Sequence, residues 1–118
     1  MKRYLVLVAL FVFVLAASAS AQDAGPKIAL FNPLGNNDYV ANAEKGVRDI
    51  IEAAGGTVQA FDAGFDPAEQ LNQIQDAITA GGFQAFIIYS VDGVGVTVGV
   101  DAAAAAGIPV IALDAPIN

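Results

Sequence analysis

Four short apolar runs, Lys27 to Phe31, Thr57 to Phe61, Gln84 to Tyr89 and Ile108 to Leu113, recur at intervals of about 25 to 30 residues. They are rich in Ile, Val and Phe and nearly continuous, whereas a strand with one wet face alternates apolar and polar positions. The runs therefore read as strands buried on both faces. Strands of that kind are parallel, and the link between two parallel neighbours is long enough to carry a helix. The intervening stretches meet that demand. Val40, Ala43, Val47, Ile50, Ile51 and Ala54 fall at helical spacing, and Gly55-Gly56 supplies the stop. A second helix opens at Asp66-Pro67-Ala68-Glu69, with Asp66 as cap, Pro67 at the first helical position and Glu69 reaching back as in a capping box. Leu71, Ile74 and Ile78 form its inner stripe and Gly81-Gly82 ends it. In the third connection Val94, Val96, Val98 and Val100 alternate with Gly95, Thr97 and Gly99 in a strand-like pattern, while Asp101 to Ala106 favours helix. The need for a crossover decides for a helix across most of Gly93 to Ala106. The expected fold class is α/β, a three-layer parallel sheet built from right-handed βαβ units.

The first residues serve another purpose. Met1-Lys2-Arg3-Tyr4 is a positive head, Leu5 to Ala17 an apolar run, and Ala19-Ser20-Ala21 a small-x-small site cut before Gln22. Residues 1–21 read as a signal peptide, and residues 22–118 as one partial domain working in the periplasm or beyond. The run is shorter than the roughly 20 apolar residues of a membrane span, so no membrane insertion of the mature chain is expected. After the signal, three basic side chains, Lys27, Lys45 and Arg48, stand against 12 acidic ones. A surface that grips polyanions needs clustered Lys and Arg, so nucleic acid is excluded as a partner.

Ligands of parallel sheets bind outside the carboxyl ends of the strands, near the point where the winding reverses. Polar residues gather at those ends: Asn32, Asn36, Asn37, Asp38 and Tyr39 after the first run, Asp62 and Asp66 after the second, Ser90 and Asp92 after the third, Asp114 and Asn118 after the fourth. Ser90 and Asp92 serve equally well as cleft lining or as a turn and cap. Asp66 and Glu69 read as capping residues, and Asp62 as a solvated loop residue. With no histidine and no cysteine, Ser-His-Asp, Cys-His and His-ligated zinc sites are excluded within this chain. Only carboxylate chemistry remains open to an enzyme. Gly93, Gly95 and Gly99 have the wrong spacing and place for a dinucleotide fingerprint.

Lys27-Ile28-Ala29-Leu30-Phe31, Asn36-Asn37-Asp38-Tyr39 opening a helix, Phe61-Asp62-Ala63-Gly64-Phe65-Asp66-Pro67, and Ala106-Gly107-Ile108-Pro109-Val110-Ile111-Ala112-Leu113-Asp114 follow one another in an order with a precedent. Together they resemble the start of a type I periplasmic substrate-binding protein, nearest to the ribose-like sugar-binding components of ABC transporters. The resemblance implies a Rossmann-like partial N-terminal lobe of a two-lobed protein that closes on a sugar or polyol and delivers it to a transporter permease, in some members also to a chemotaxis receptor. It implies ligand contacts at Tyr39 and Asp114, and with Asn37, Ser90 and Asp92 from the same strand ends these make up the expected ligand site. Tyr39 would lay its ring on the sugar, and Asp114 would accept from its hydroxyls. Ala115 departs from the arginine that ribose-like members often carry after that acid, which argues against ribose itself. No cofactor and no metal are implied. The competing expectation is an exported, carboxylate-dependent enzyme acting on glycosides.

Overall fold

A computed structural model describes residues 24–117, so the signal segment expected at residues 1–21 and Asn118 lie outside the described residues. The elements are β1 (Lys27–Asn32), α1 (Asp38–Ala53), β2 (Thr57–Asp62), α2 (Pro67–Ala80), β3 (Ala85–Ile88), α3 (Thr97–Ala105) and β4 (Val110–Ala112). All strand pairs are parallel, and the order across the sheet is β2-β1-β3-β4. The chain winds outward from β1 to β2, then crosses back over β1 to begin β3. The reversal therefore falls between β1 and β3.

Side chains alternate across β1, and both sets are buried. Ile28 and Leu30 meet Val58, Ile87 and, from α1, Val47 and Ile51. Ala29 and Phe31 meet Phe86 and Ile88 together with Ile74 and Ala77 of α2 and Ala103 of α3. This places α1 on one face of the sheet and α2 with α3 on the other. Phe31 stacks on Phe61 at 5.0 Å and meets Phe86 edge-on at 5.1 Å, so aromatic pairs join β2, β1 and β3 under α2.

Burial on both faces holds for β1 and β3 but not across the whole sheet. Ile111 of β4 is 55% exposed, and Ile50, one of the helically spaced residues of α1, is 72% exposed. The cause is coverage: α1 packs over β1 and β2, and among the described residues no helix lies over β4 on that face. The last two strands are also shorter than the apolar runs. Ile108 donates its N–H to Ala103 at the end of α3, and Pro109 has none to give, so β4 joins the ladder through the Pro109 carbonyl, which accepts from Phe86 N–H at 2.9 Å, and Val110 is its first paired residue.

The third helix begins at Thr97 rather than near Gly93. Asp92 captures the preceding backbone: its Oδ1 accepts from Val94 N–H at 3.0 Å and its carbonyl from Val96 N–H at 3.1 Å. The strand-like alternation of Val94 to Val100 is not realised, because α3 must cross α2 closely. A Cβ on Gly99 would stand 3.0 Å from Leu71 Cδ1 and 3.1 Å from Ile74 Cγ2, so glycine sets the approach of the two helices. The capping box at α2 is half formed. Asp66 Oδ1 accepts from Ala68 and Glu69 N–H. Asp66 N–H, however, already donates to Ala63, so Glu69 turns to Gln73 instead.

The outer edge of β4 is unpaired among the described residues, and an apolar, uncharged edge templates further pairing. Residues 22–118 alone are expected to elute as oligomers or to precipitate at high concentration, and Ile111→Lys to shift them toward monomer. A sharp monomer peak for the unsubstituted protein in size-exclusion chromatography contradicts this.

Candidate functional site

The loops at the carboxyl ends of β1, β3 and β4 converge. After β1 the chain turns through Pro33 to Asn36, and Asn37 caps α1 with extended backbone, its Oδ1 accepting from Tyr39 and Val40 N–H at 2.9 and 3.3 Å. This fixes the first turn of α1 and commits the Asn37 oxygen to the helix, leaving the Nδ2 group for an outside partner. Tyr39 stands 61% exposed on that turn. Its hydroxyl donates to Asp114 Oδ1 at 2.8 Å, and its ring meets the Tyr89 ring edge-on at 6.4 Å. Of the sequence candidates, then, Asn37, Tyr39 and Asp114 stand on one rim. Tyr89 joins them.

Tyr89 was read as the last residue of a strand, and it is more than that. Its N–H still donates to Phe31 in the manner of the sheet, but its carbonyl accepts from Gln70 Nε2 at 3.0 Å, while Val91 N–H donates to Gln70 Oε1 at 2.9 Å. Gln70 is 1% exposed. One buried amide on α2 thus clamps the loop on both sides of Ser90, which is itself half-buried. Sequence reasoning missed Gln70 because it sits beside the Leu71, Ile74, Ile78 stripe as an ordinary polar helix residue; a polar residue flanking an apolar stripe is the signal that was present. Asp92 is exposed and engaged with its own turn through Val94.

Asn32 does not face the rim. It is 3% exposed and donates to Glu44 Oε2 at 2.8 Å, and Glu44 in turn pairs with Arg48. Asp62 holds a tight turn by accepting from Gly64 N–H at 2.8 Å. Among the described residues two non-glycine residues adopt left-handed backbone, Phe65 at φ 65° and Asp114 at φ 73°, and both lie in loops that follow the carboxyl ends of strands. Such conformations persist only where the surroundings hold them. Phe65 is held by its N–H donating to Pro33 at 2.7 Å, and Asp114 by the Tyr39 hydroxyl.

The electrostatics follow from Asp114. Its hydrogen bond and then its charge, with a smaller contribution from desolvation, hold the Tyr39 phenol above the ordinary tyrosine value. Desolvation first, then Asp114, does the same to Tyr89. The basic residues are engaged elsewhere: Lys27 lies 4.4 Å from the Phe83 ring centre, Lys45 pairs with Asp49, and Arg48 pairs with Glu44 and Glu52. Among the described residues no group of three or more His, Cys, Asp or Glu is placed to hold a metal ion, and no helix is long and apolar enough to cross a membrane.

Residues 28–118 match the model of a family described as periplasmic binding protein domain. Among solved structures, the chain is similar to an ABC transporter solute binding protein from Mycobacterium smegmatis solved with glycerol, with 31% identity and a TM-score of 0.73 over 80% of this chain and 32% of that one. It is similar also to one from Agrobacterium vitis bound with α-D-tagatopyranose, with 27% identity and a TM-score of 0.72 over 78% of this chain and 31% of that one. A third, from Bradyrhizobium sp. BTAi1 with bis-tris, is 25% identical with a TM-score of 0.76 over 84% of this chain and 30% of that one. The chain spans about a third of the length of these structures. No curated protein sequence matches it.

Gln70→Leu keeps the volume but strands Tyr89 O and Val91 N–H, and is expected to cost roughly 1–3 kcal/mol in urea unfolding; an unchanged midpoint refutes the clamp. The raised phenols set an alkaline limit. A group that holds its proton more tightly when folded contributes stability that is intact below its unfolded value and lost as pH rises through the folded one. Thermal unfolding midpoints should therefore fall from about pH 10 upward, and Asp114→Asn should flatten that fall.

Proposed function

The chain belongs to the periplasmic binding protein domain family, and from this we propose that it forms part of the first lobe of an exported receptor that captures a small sugar or polyol for an ABC transporter permease. The signal peptide at residues 1–21, cut after Ala21, sends residues 22–118 to the periplasm. The ligand rests against the rim at Asn37, Tyr39, Ser90, Asp92 and Asp114, and a second lobe closes over it.

The observation that carries this reading is the convergence of Tyr39, Tyr89 and Asp114 beside the winding reversal between β1 and β3. A carboxylate accepts hydrogen bonds from sugar hydroxyls, and aromatic rings suit the apolar C–H faces of the same molecule. The rim has no free cation among the described residues, which favours uncharged ligands over sugar phosphates and sugar acids. The similar solved structures are solute binding proteins with small hydroxylated molecules bound. Binding is a population shift: a ligand that touches two lobes favours the closed arrangement by its extra affinity for it.

The reading makes a quantitative demand. A micromolar ligand corresponds to about −8.2 kcal/mol, and losing half its contacts leaves an affinity of about millimolar. Titration of residues 22–118 with D-glucose, D-allose and glucose 6-phosphate should give millimolar binding of the neutral sugars, weakened by Asp114→Asn, and none of the phosphate. Micromolar calorimetric binding to this segment would show that no second lobe is needed. Absence of any response at the rim to neutral monosaccharides would remove the sugar receptor altogether.

A further inference from the structure

Tyr39 is the most exposed of the hydroxyl-bearing residues at the rim, yet its hydroxyl is already spent inside the lobe. It donates to Asp114 Oδ1 at 2.8 Å, so it has no proton left for a ligand. The ring is also engaged from one side, where Tyr89 stands across it at 72°. At the other end of the bond, Asp114 occupies left-handed backbone at φ 73°, and Ala115 N–H closes the turn behind it onto Leu113 at 3.0 Å. The side chain after Asp114 is a methyl group and supplies no cation to fix the carboxylate. Tyr89 is the other side chain whose hydroxyl acts on Asp114, and Tyr39 is the one that bonds it at 2.8 Å.

We propose that Tyr39 is a positioning residue: its hydroxyl fixes the Asp114 carboxylate by one oxygen and so turns Oδ2 toward incoming ligand hydroxyls, with the Tyr89 ring bracing Tyr39 from the side. This rests on the sugar-receptor reading of the same rim. It replaces the ring-on-sugar role expected for Tyr39 with one exerted through Asp114. A carboxylate already held in one rotamer has less freedom to lose when the ligand arrives, which is the general advantage of a pre-organised acceptor. Asp114 raises the phenols of both Tyr39 and Tyr89, as its closeness to both requires.

Two measurements on the same chain test the assignment. In the first, D-glucose is titrated by NMR into wild type, Tyr39→Phe, Tyr39→Leu, Asp114→Asn and the Tyr39→Phe/Asp114→Asn pair. Tyr39→Phe keeps the ring and loses the hydroxyl, and is expected to weaken binding roughly five- to ten-fold, the scale of one ordinary net hydrogen bond. Tyr39→Leu should match it, and Tyr39→Phe should add nothing once Asp114→Asn is in place. Wild-type affinity in Tyr39→Phe together with a loss in Tyr39→Leu overturns the proposal and returns the ring to the ligand. In the second, the Tyr39 phenol is titrated through its ring resonances in a Tyr89→Phe background. Its midpoint should fall toward the ordinary tyrosine value in Asp114→Asn, and an unmoved midpoint overturns the pairing. Should wild type bind no sugar, the receptor reading fails by itself, and the phenol titration still decides whether Tyr39 holds Asp114.

Discussion

β1 has no free side, and the rest of the lobe follows from that. It is flanked by β2 and β3, covered by α1 on one face and by α2 with α3 on the other, and Ile28, Ala29, Leu30 and Phe31 are all buried. Four consecutive buried side chains admit no polar residue until Asn32, where the strand leaves the sheet. Because β2 and β3 lie on opposite sides of β1, their connections must leave in opposite directions. The loops after β1 and β3 then part and leave a crevice between them. The rim is a geometric consequence of where β1 sits, and its chemistry is added by the loops.

Those loops are held by polar contacts that the sheet cannot supply. Gln70 reaches from α2 to both sides of Ser90, Asn37 ties α1 to its own first turn, and Phe65 is anchored to Pro33. Each left-handed non-glycine residue costs on the order of 1–3 kcal/mol of local strain. Both occur on the rim side of the sheet, whereas the opposite edge turns through glycines such as Gly55, Gly81, Gly82 and Gly107. Strain is thus concentrated where side chains must be presented, and avoided where the chain only has to turn.

The elements were legible wherever one local signal dominated. Period 3.6 followed by Gly55-Gly56 marks α1, and Asp66-Pro67 marks the start of α2 because capping is local chemistry. The start of α3 was not legible: the bonds from Val94 and Val96 N–H to Asp92 are local but leave no mark on the Val-Gly alternation, and the close fit of Gly99 on Leu71 and Ile74 is a tertiary fact that overrides it. The exposure of Ile50 and Ile111 was hidden for a related reason: a periodic pattern shows which residues could be covered, not whether a partner layer is there. At the site, residue types at strand ends pointed to the rim. They could not show that Tyr39 and Asp114, 75 positions apart, share a hydrogen bond, or that Gln70 is the clamp beneath Tyr89.

The charge distribution constrains how such a rim can work. Arg48 and Lys45 are tied up along α1, and Lys27 lies over Phe83 at the amino end of β1, away from the carboxyl-end loops. A lobe with an acidic surplus and, among the described residues, no free cation at its rim cannot draw a ligand in by opposite charge unless that ligand is itself cationic, and it repels anions. Affinity for an uncharged ligand must come from short-range hydrogen bonds and ring contacts, each modest alone. Many such contacts require the ligand to be enclosed, and a single open rim encloses one side only. In the proposed receptor a pre-set carboxylate and a second surface would therefore serve one end: both convert weak, directional contacts into a binding free energy large enough to be useful.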